Sequence, residues 1–225
     1  MKRIVFYSWQ SDVPGKLNRY FIEDALKDAT ALISNDDSVE ESPRVETDTL
    51  GIPGSPDIFQ TILDKIEQSD VFVCDLTVIN STVKDEFITT IINNRLIDLL
   101  NISDGATNSN TELSVLEKAL EIRLTPNPNV LIELGYALKT LGGKRVIMVI
   151  NEYFCERNQL PFDLHTKRVH SYCYDGSGGS KQQIKQKLVN FFALALRTIF
   201  DEIGKLHVKE EIISLGLSLT HPTPL

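Results

Sequence analysis

The chain has 225 residues, 42% hydrophobic and 24% charged, which fits an ordinary globular domain with a sizeable core and room for an insertion. Its 23 basic and 31 acidic residues leave a net charge of −8, which argues against a sequence-independent nucleic-acid binder. Three cysteines (Cys74, Cys155 and Cys173) form no CxxC pair, no signal peptide is evident, and the apolar runs are short; zinc, disulfide and membrane-spanning designs are disfavoured and a cytoplasmic protein is expected.

Arg3 to Tyr7 reads as a buried parallel strand, followed by a polar loop from Ser8 to Gly15. Phe21, Ile22, Ala25, Leu26, Ala29, Leu32 and Ile33 recur at helical steps, so a helix runs from about Asn18 to Ile33. Asn35 to Pro43 is an acidic surface loop, and Val45 to Asp48 a short second strand. A loop rich in Gly and Pro, Thr49 to Gly54, leads to Ser55-Pro56-Asp57, a helix start, and then to Ile58, Phe59, Ile62, Leu63 and Ile66. Ser69-Asp70 breaks that helix before a third strand, Val71 to Leu76.

Residues 80–124 interrupt the alternation. Phe87 to Leu99 and Leu113 to Ile122 carry two amphipathic patterns joined by a polar linker, which predicts an inserted helical hairpin. Next comes a helix capped by Asn127, with Pro128 in its first turn and Gly142-Gly143 at its end. Arg145 to Ile150 is the clearest strand, Asn151 to Thr166 a long loop, and Val169 to Tyr174 a possible last strand. Asp175 to Ser180 is read as a turn, since its glycines precede no P-loop lysine. A terminal helix runs from Lys181 past Phe200, and Glu210 to Leu225 adds a short helix and a tail. The expected organisation is a domain over 1–204 and an extension over 205–225.

The Asn127 helix is apolar on nearly every side, with a single charge, Glu133, in its middle. Such a helix is expected to be mostly buried, and a lone buried carboxylate is costly unless something pairs or uses it. Arg19 and Arg145 are the candidate partners. Asn129 lies one turn earlier, facing either a ligand or solvent.

Strand and helix in alternation predict a parallel sheet covered on both faces, with ligands beyond the carboxyl ends of the strands. The polar residues that stand out follow strands: Ser8, Trp9 and Gln10, then Asp48, then Asp75 and Thr77. Trp9 is either a pocket wall or core filling, and the two aspartates either bind ligand or cap helices. Arg19 binds phosphate or is a solvated helix residue. Cys74 is a small core residue. His165, His170, His207 and His221 form no triad pattern, so serine or cysteine hydrolase chemistry is discounted.

Three segments resemble a known family. Phe6-Tyr7-Ser8-Trp9-Gln10-Ser11-Asp12 is similar to the first box of TIR domains, and Asp48 to Gly54 sits where they carry the BB loop. Asn129-Val130-Leu131-Ile132-Glu133-Leu134-Gly135 resembles the Asn-Val-x-x-Glu-Leu-Gly signature of bacterial TIR-like proteins of anti-phage defence. The resemblance covers most of residues 1–175 apart from the insertion, which a minimal TIR domain lacks. It implies a flavodoxin-like fold with five parallel strands in the order 2-1-3-4-5.

It also implies cleavage of NAD, as substrate and not cofactor, at the nicotinamide–ribose bond. Glu133 matches the catalytic glutamate. Tyr7, Ser8, Trp9, Gln10, Asp48, Asp75 and Asn129 form the expected substrate-binding set, and no metal is expected. The chemistry suits a single carboxylate, because charge builds on the ribose and nicotinamide leaves neutral. Trp9 is placed to stack on a base, Asp48 or Asp75 to bind ribose hydroxyls, and the Ser8–Ser11 amides to hold pyrophosphate. No sensor domain is seen, so a homo-oligomer or a separate activator protein is the expected trigger. Two alternatives stay open: a non-catalytic nucleotide-binding or assembly module, and an enzyme akin to nucleoside deoxyribosyltransferases.

Overall fold

Buried parallel strands need apolar residues on both sides, because helices cover each face of the sheet. In the computed structural model of the chain, which describes residues 3–34, 43–47, 57–78 and 125–214, five such strands form one sheet. They are β1 (Ile4–Ser8), β2 (Arg44–Glu46), β3 (Val71–Asp75), β4 (Val146–Asn151) and β5 (Val169–Tyr172). All pairings are parallel and the order is β2-β1-β3-β4-β5, a flavodoxin-like α/β arrangement. Asp48, the loop to Gly54, the expected hairpin over 80–124 and the tail beyond Ser214 lie outside the described residues.

Alternation along the strands divides the core. Val5, Tyr7, Val71, Val73, Ile147 and Val149 face α1 (Arg19–Ser34) and the terminal helix, named α5 below. Phe6, Phe72, Cys74, Met148 and Ile150 face α2 (Ile58–Gln68) and α3 (Pro128–Thr140). The Phe6 and Phe72 rings stack at 6.2 Å on that second face. A short α4 (Phe162–His165) also packs there through Leu164, and α5 (Lys181–Ser214) closes the first face through Leu188, Phe192 and Leu196.

Several boundaries differ from the sequence reading, each for a local reason. Helix α2 begins one residue after Asp57, the N-cap, whose carboxylate accepts from the Gln60 amide at 3.1 Å. Arg145 belongs to a 3-10 turn (Gly143–Arg145), and its guanidinium donates to the carbonyls of Ser69 and Asp70. It ties the start of β4 to the end of α2 and is not a partner for Glu133. The stretch expected as a long loop contains a second 3-10 turn (Arg157–Gln159) and α4. β5 stops at Tyr172 because Asn151 takes both the amide and the carbonyl of Tyr174. Helix α5 crosses position 204 unbroken, so Glu210 to Ser214 continue it and are not a separate helix.

The largest correction concerns α3. Its Asn127 cap forms as expected, accepting from the Asn129 amide at 2.9 Å, and Gly142 at φ +78° follows the helix end. Yet α3 is buried on one side only. Val130, Leu134 and Ala137 enter the core, while Ile132 is 53% exposed and Gly135 is exposed. A helix over one face of an open sheet has a sheet-facing stripe and a free back, however apolar its composition. Among the described residues no helix is long and apolar enough to cross a membrane.

Candidate active site

The order of the strands puts the switch point between β1 and β3, where chain connections leave in opposite directions. Ser8 is the last residue of β1 and pairs in register with Cys74 near the end of β3. Its side chain follows that of Phe6 onto the α2–α3 face. There its hydroxyl donates to Glu133 Oε2 at 2.6 Å. A residue at the sheet's carboxyl edge and one on the second turn of α3 are thereby joined across 125 positions of sequence.

Glu133 is half-buried, and among the described residues no cation pairs with it. Burial pushes its carboxyl above the ordinary range, and the hydrogen bond from Ser8 pulls it part of the way back. Its second oxygen accepts no hydrogen bond from the described residues. The result is an isolated carboxylate, held at one oxygen, at the rim where α/β sheets bind ligands. Ser8 is only 2% exposed, so its visible task is to hold Glu133. Cys74, directly beside Ser8, is a fully buried core residue; burial raises its thiol well above the usual range, with Asp75 and Glu133 adding to it.

The remaining candidates fall into two groups. At the mouth, the Asn127 amide donates to Asp12, joining the α3 start to the loop after β1. Asn129 is exposed there, with no described partner for its side chain. Trp9 is half-buried against the α1–α5 core, and the Arg19 guanidinium lies 3.2 Å from its ring centre. One face of the indole is thus already occupied by a cation, and Arg19 is an aromatic-stacking residue and not a partner of Glu133.

Tyr7, Gln10 and Asp75 lie apart from Glu133. Tyr7 is fully buried on the α1–α5 face, the opposite side of the sheet, and burial first, then Asp75, keeps its hydroxyl protonated. Asp75 is also fully buried; burial raises its carboxyl while Thr77, Asn18 and Gln10 offset this. It accepts from Asn18 at 2.9 Å, from the Thr77 amide at 2.9 Å and from the Thr77 hydroxyl at 2.5 Å. Gln10 donates to the Thr77 carbonyl at 2.7 Å.

The centre of this network went unnoticed in the sequence. Asn151, fully buried at the end of β4, donates its backbone amide to the Thr77 hydroxyl. Its side chain reaches the Leu17 carbonyl, the Asn18 amide oxygen and both backbone groups of Tyr174. The available signal was positional: like Ser8 and Asp75, Asn151 is the first polar residue after a continuously apolar strand. Among the described residues no group of three or more His, Cys, Asp or Glu side chains has a metal-binding arrangement.

Compared with models of known protein families the chain finds no match, and no curated protein matches it.

Proposed function

We propose that the chain is a TIR-like NAD glycohydrolase that breaks the nicotinamide–ribose bond, latent until it self-assembles or meets a separate activator, in bacterial anti-phage defence. The observation that carries this reading is the Ser8–Glu133 pair: a half-buried carboxylate at the switch-point rim with no cation partner among the described residues, on the helix whose sequence carries the Asn-Val-x-x-Glu-Leu-Gly pattern. The ionised carboxylate lies beside the ribose and stabilises the positive charge that grows there. The C1′–N bond electrons leave with nicotinamide, which departs neutral, and water adds at C1′ and loses a proton. No general acid is required.

The role of Ser8 changes in this reading. It orients Glu133 and favours its ionised form; substrate contacts come from Asn129, Trp9 and the exposed Ser11 and Asp12. Concentrated protein incubated with NAD is expected to release nicotinamide, measured by chromatography, and Glu133→Ala to reduce that release at least about a hundredfold. Release that persists unchanged in Glu133→Ala removes the assignment. Binding of NAD without turnover in the assembled state points to a nucleotide-binding module, and base exchange on deoxynucleosides to a deoxyribosyltransferase.

A further inference from the structure

A half-open pocket of about 750 Å³ lies at the amino ends of β4 and β5, against α5 and remote from the carboxyl-end rim. Its volume falls within the roughly 300–1,000 Å³ typical of small-molecule sites. Its floor is aliphatic, with Val146, Val169, Ala195 and Ile199, and one wall is His170 stacked on Phe191 at 3.6 Å. Leu194, 68% exposed, extends that apolar surface to solvent.

The charge of the lining is one-sided. The chain as a whole carries −8, yet every charged residue lining this pocket among the described residues is basic: Lys144, Lys167 and Arg168. All three are exposed, and none has a carboxylate partner among the described residues. Apart from Thr198 and His170, no uncharged polar side chain among the described residues lines the pocket, so there is little to read the edge of a nucleobase or sugar. An apolar cavity with a cationic rim fits a ligand with an apolar tail and an anionic head.

We propose that this pocket binds a free single-chain amphiphilic anion, a fatty carboxylate. The alkyl chain lies along the aliphatic floor and the carboxylate meets Lys144, Lys167 and Arg168. Leu138 also lines the pocket, so the occupant touches the far end of the helix that bears Glu133. The proposal is independent of NAD cleavage, and its failure leaves the assignment of Glu133 untouched.

The test is isothermal titration of the full-length protein with sodium laurate below its critical micelle concentration. Saturable binding at one laurate per chain is expected, at least tenfold tighter than dodecanol or dodecyltrimethylammonium. The exposed double variant Lys167→Glu/Arg168→Glu, and separately Ala195→Trp, which fills the floor, should each weaken laurate at least tenfold. A variant is scored only where its circular dichroism and melting match the wild type, and the double variant alone suffices if Ala195→Trp misfolds. Absent binding, binding unchanged by the folded variants, or equal binding of the cationic amphiphile overturns the proposal. So does binding only to anionic lipid vesicles, which makes the face a membrane contact. A dimer by sedimentation that laurate leaves intact and Ala195→Trp dissolves also overturns it, in favour of an interface between copies.

Discussion

Glu133 and Ser8 carry the proposed chemistry at the residue scale, and their coupling has a definite pH signature. The proposed reaction needs the ionised carboxylate, and the Ser8 hydroxyl stabilises that form. Ser8→Ala removes the stabilising donor, so Glu133 holds its proton to higher pH. The acid limb of kcat/KM for nicotinamide release should move upward in pH, with the plateau at alkaline pH less affected. A Ser8→Ala profile that scales down uniformly at every pH would mean that Ser8 contacts substrate instead. Stability has the opposite sense. Because the folded carboxyl is raised, between the unfolded and folded values the native state holds a proton that the unfolded chain has lost. Stability therefore declines as pH rises through that window, and the ionised, half-buried Glu133 is a liability at neutral pH. Glu133→Gln keeps an acceptor for Ser8 without the charge. Thermal melts should place this variant above the wild type at pH 7, with the difference vanishing near pH 4.

The helix α3 shows at the element scale how composition and position separate. Its first turn is specified locally: Asn127 accepts from the Asn129 amide, and Pro128 occupies a place where its missing amide costs nothing. Which side faces the core is not local. Leu134 is 2% exposed against the β3–β4 surface, and Ile132, two residues earlier and equally apolar, is 53% exposed. Leu134→Ala should cost about 3 kcal/mol in urea denaturation, and Ile132→Ala less than about 1 kcal/mol. Equal losses at both positions would mean that the outer face is also covered. The one-sided burial also explains how Glu133 is tolerated: its position lies at the border of the stripe, where water still reaches the carboxylate.

The molecule as a whole is tied together at the carboxyl edge of its sheet by two polar systems on opposite faces. One is Ser8–Glu133. The other is the buried set of Asp75, Thr77, Asn18 and Asn151, which joins the ends of β3 and β4 to the start of α1 and to Tyr174. Asn151→Ala strips partners from the Tyr153 and Tyr174 amides and from the Tyr174 carbonyl at once. Buried groups left without hydrogen bonds are expensive, so the variant should lose about 3 kcal/mol or more by chemical denaturation. A loss below about 1 kcal/mol would show that water replaces these bonds readily. The separation of the two systems also divides the residues that follow strands. Alternation turns Tyr7 and Ser8 to opposite sides of β1, so neighbours in sequence serve a buried core and the candidate site respectively.

Period and punctuation in the sequence were enough to place the five strands, because buried parallel strands are short, continuously apolar runs, and to find the four longer described helices, whose caps and apolar spacing are encoded within a turn or two; the short α4 was read as loop. They also sufficed to single out Glu133, since a lone acidic residue in the middle of an apolar helix is visible without knowing its neighbours. They did not reveal that Ser8 holds Glu133, that Arg19 covers Trp9 and Arg145 closes a strand end, that Asp75 is buried structure, or that Asn151 is a hub. Those contacts depend on which face of the sheet a side chain meets and, in the cases of Asp75, Asn151 and Ser8, on distant partners: Asn18 lies 57 residues from Asp75 and 133 from Asn151, and Glu133 lies 125 from Ser8. Local pattern carries a residue's period; only the assembled sheet brings such distant side chains within hydrogen-bonding reach.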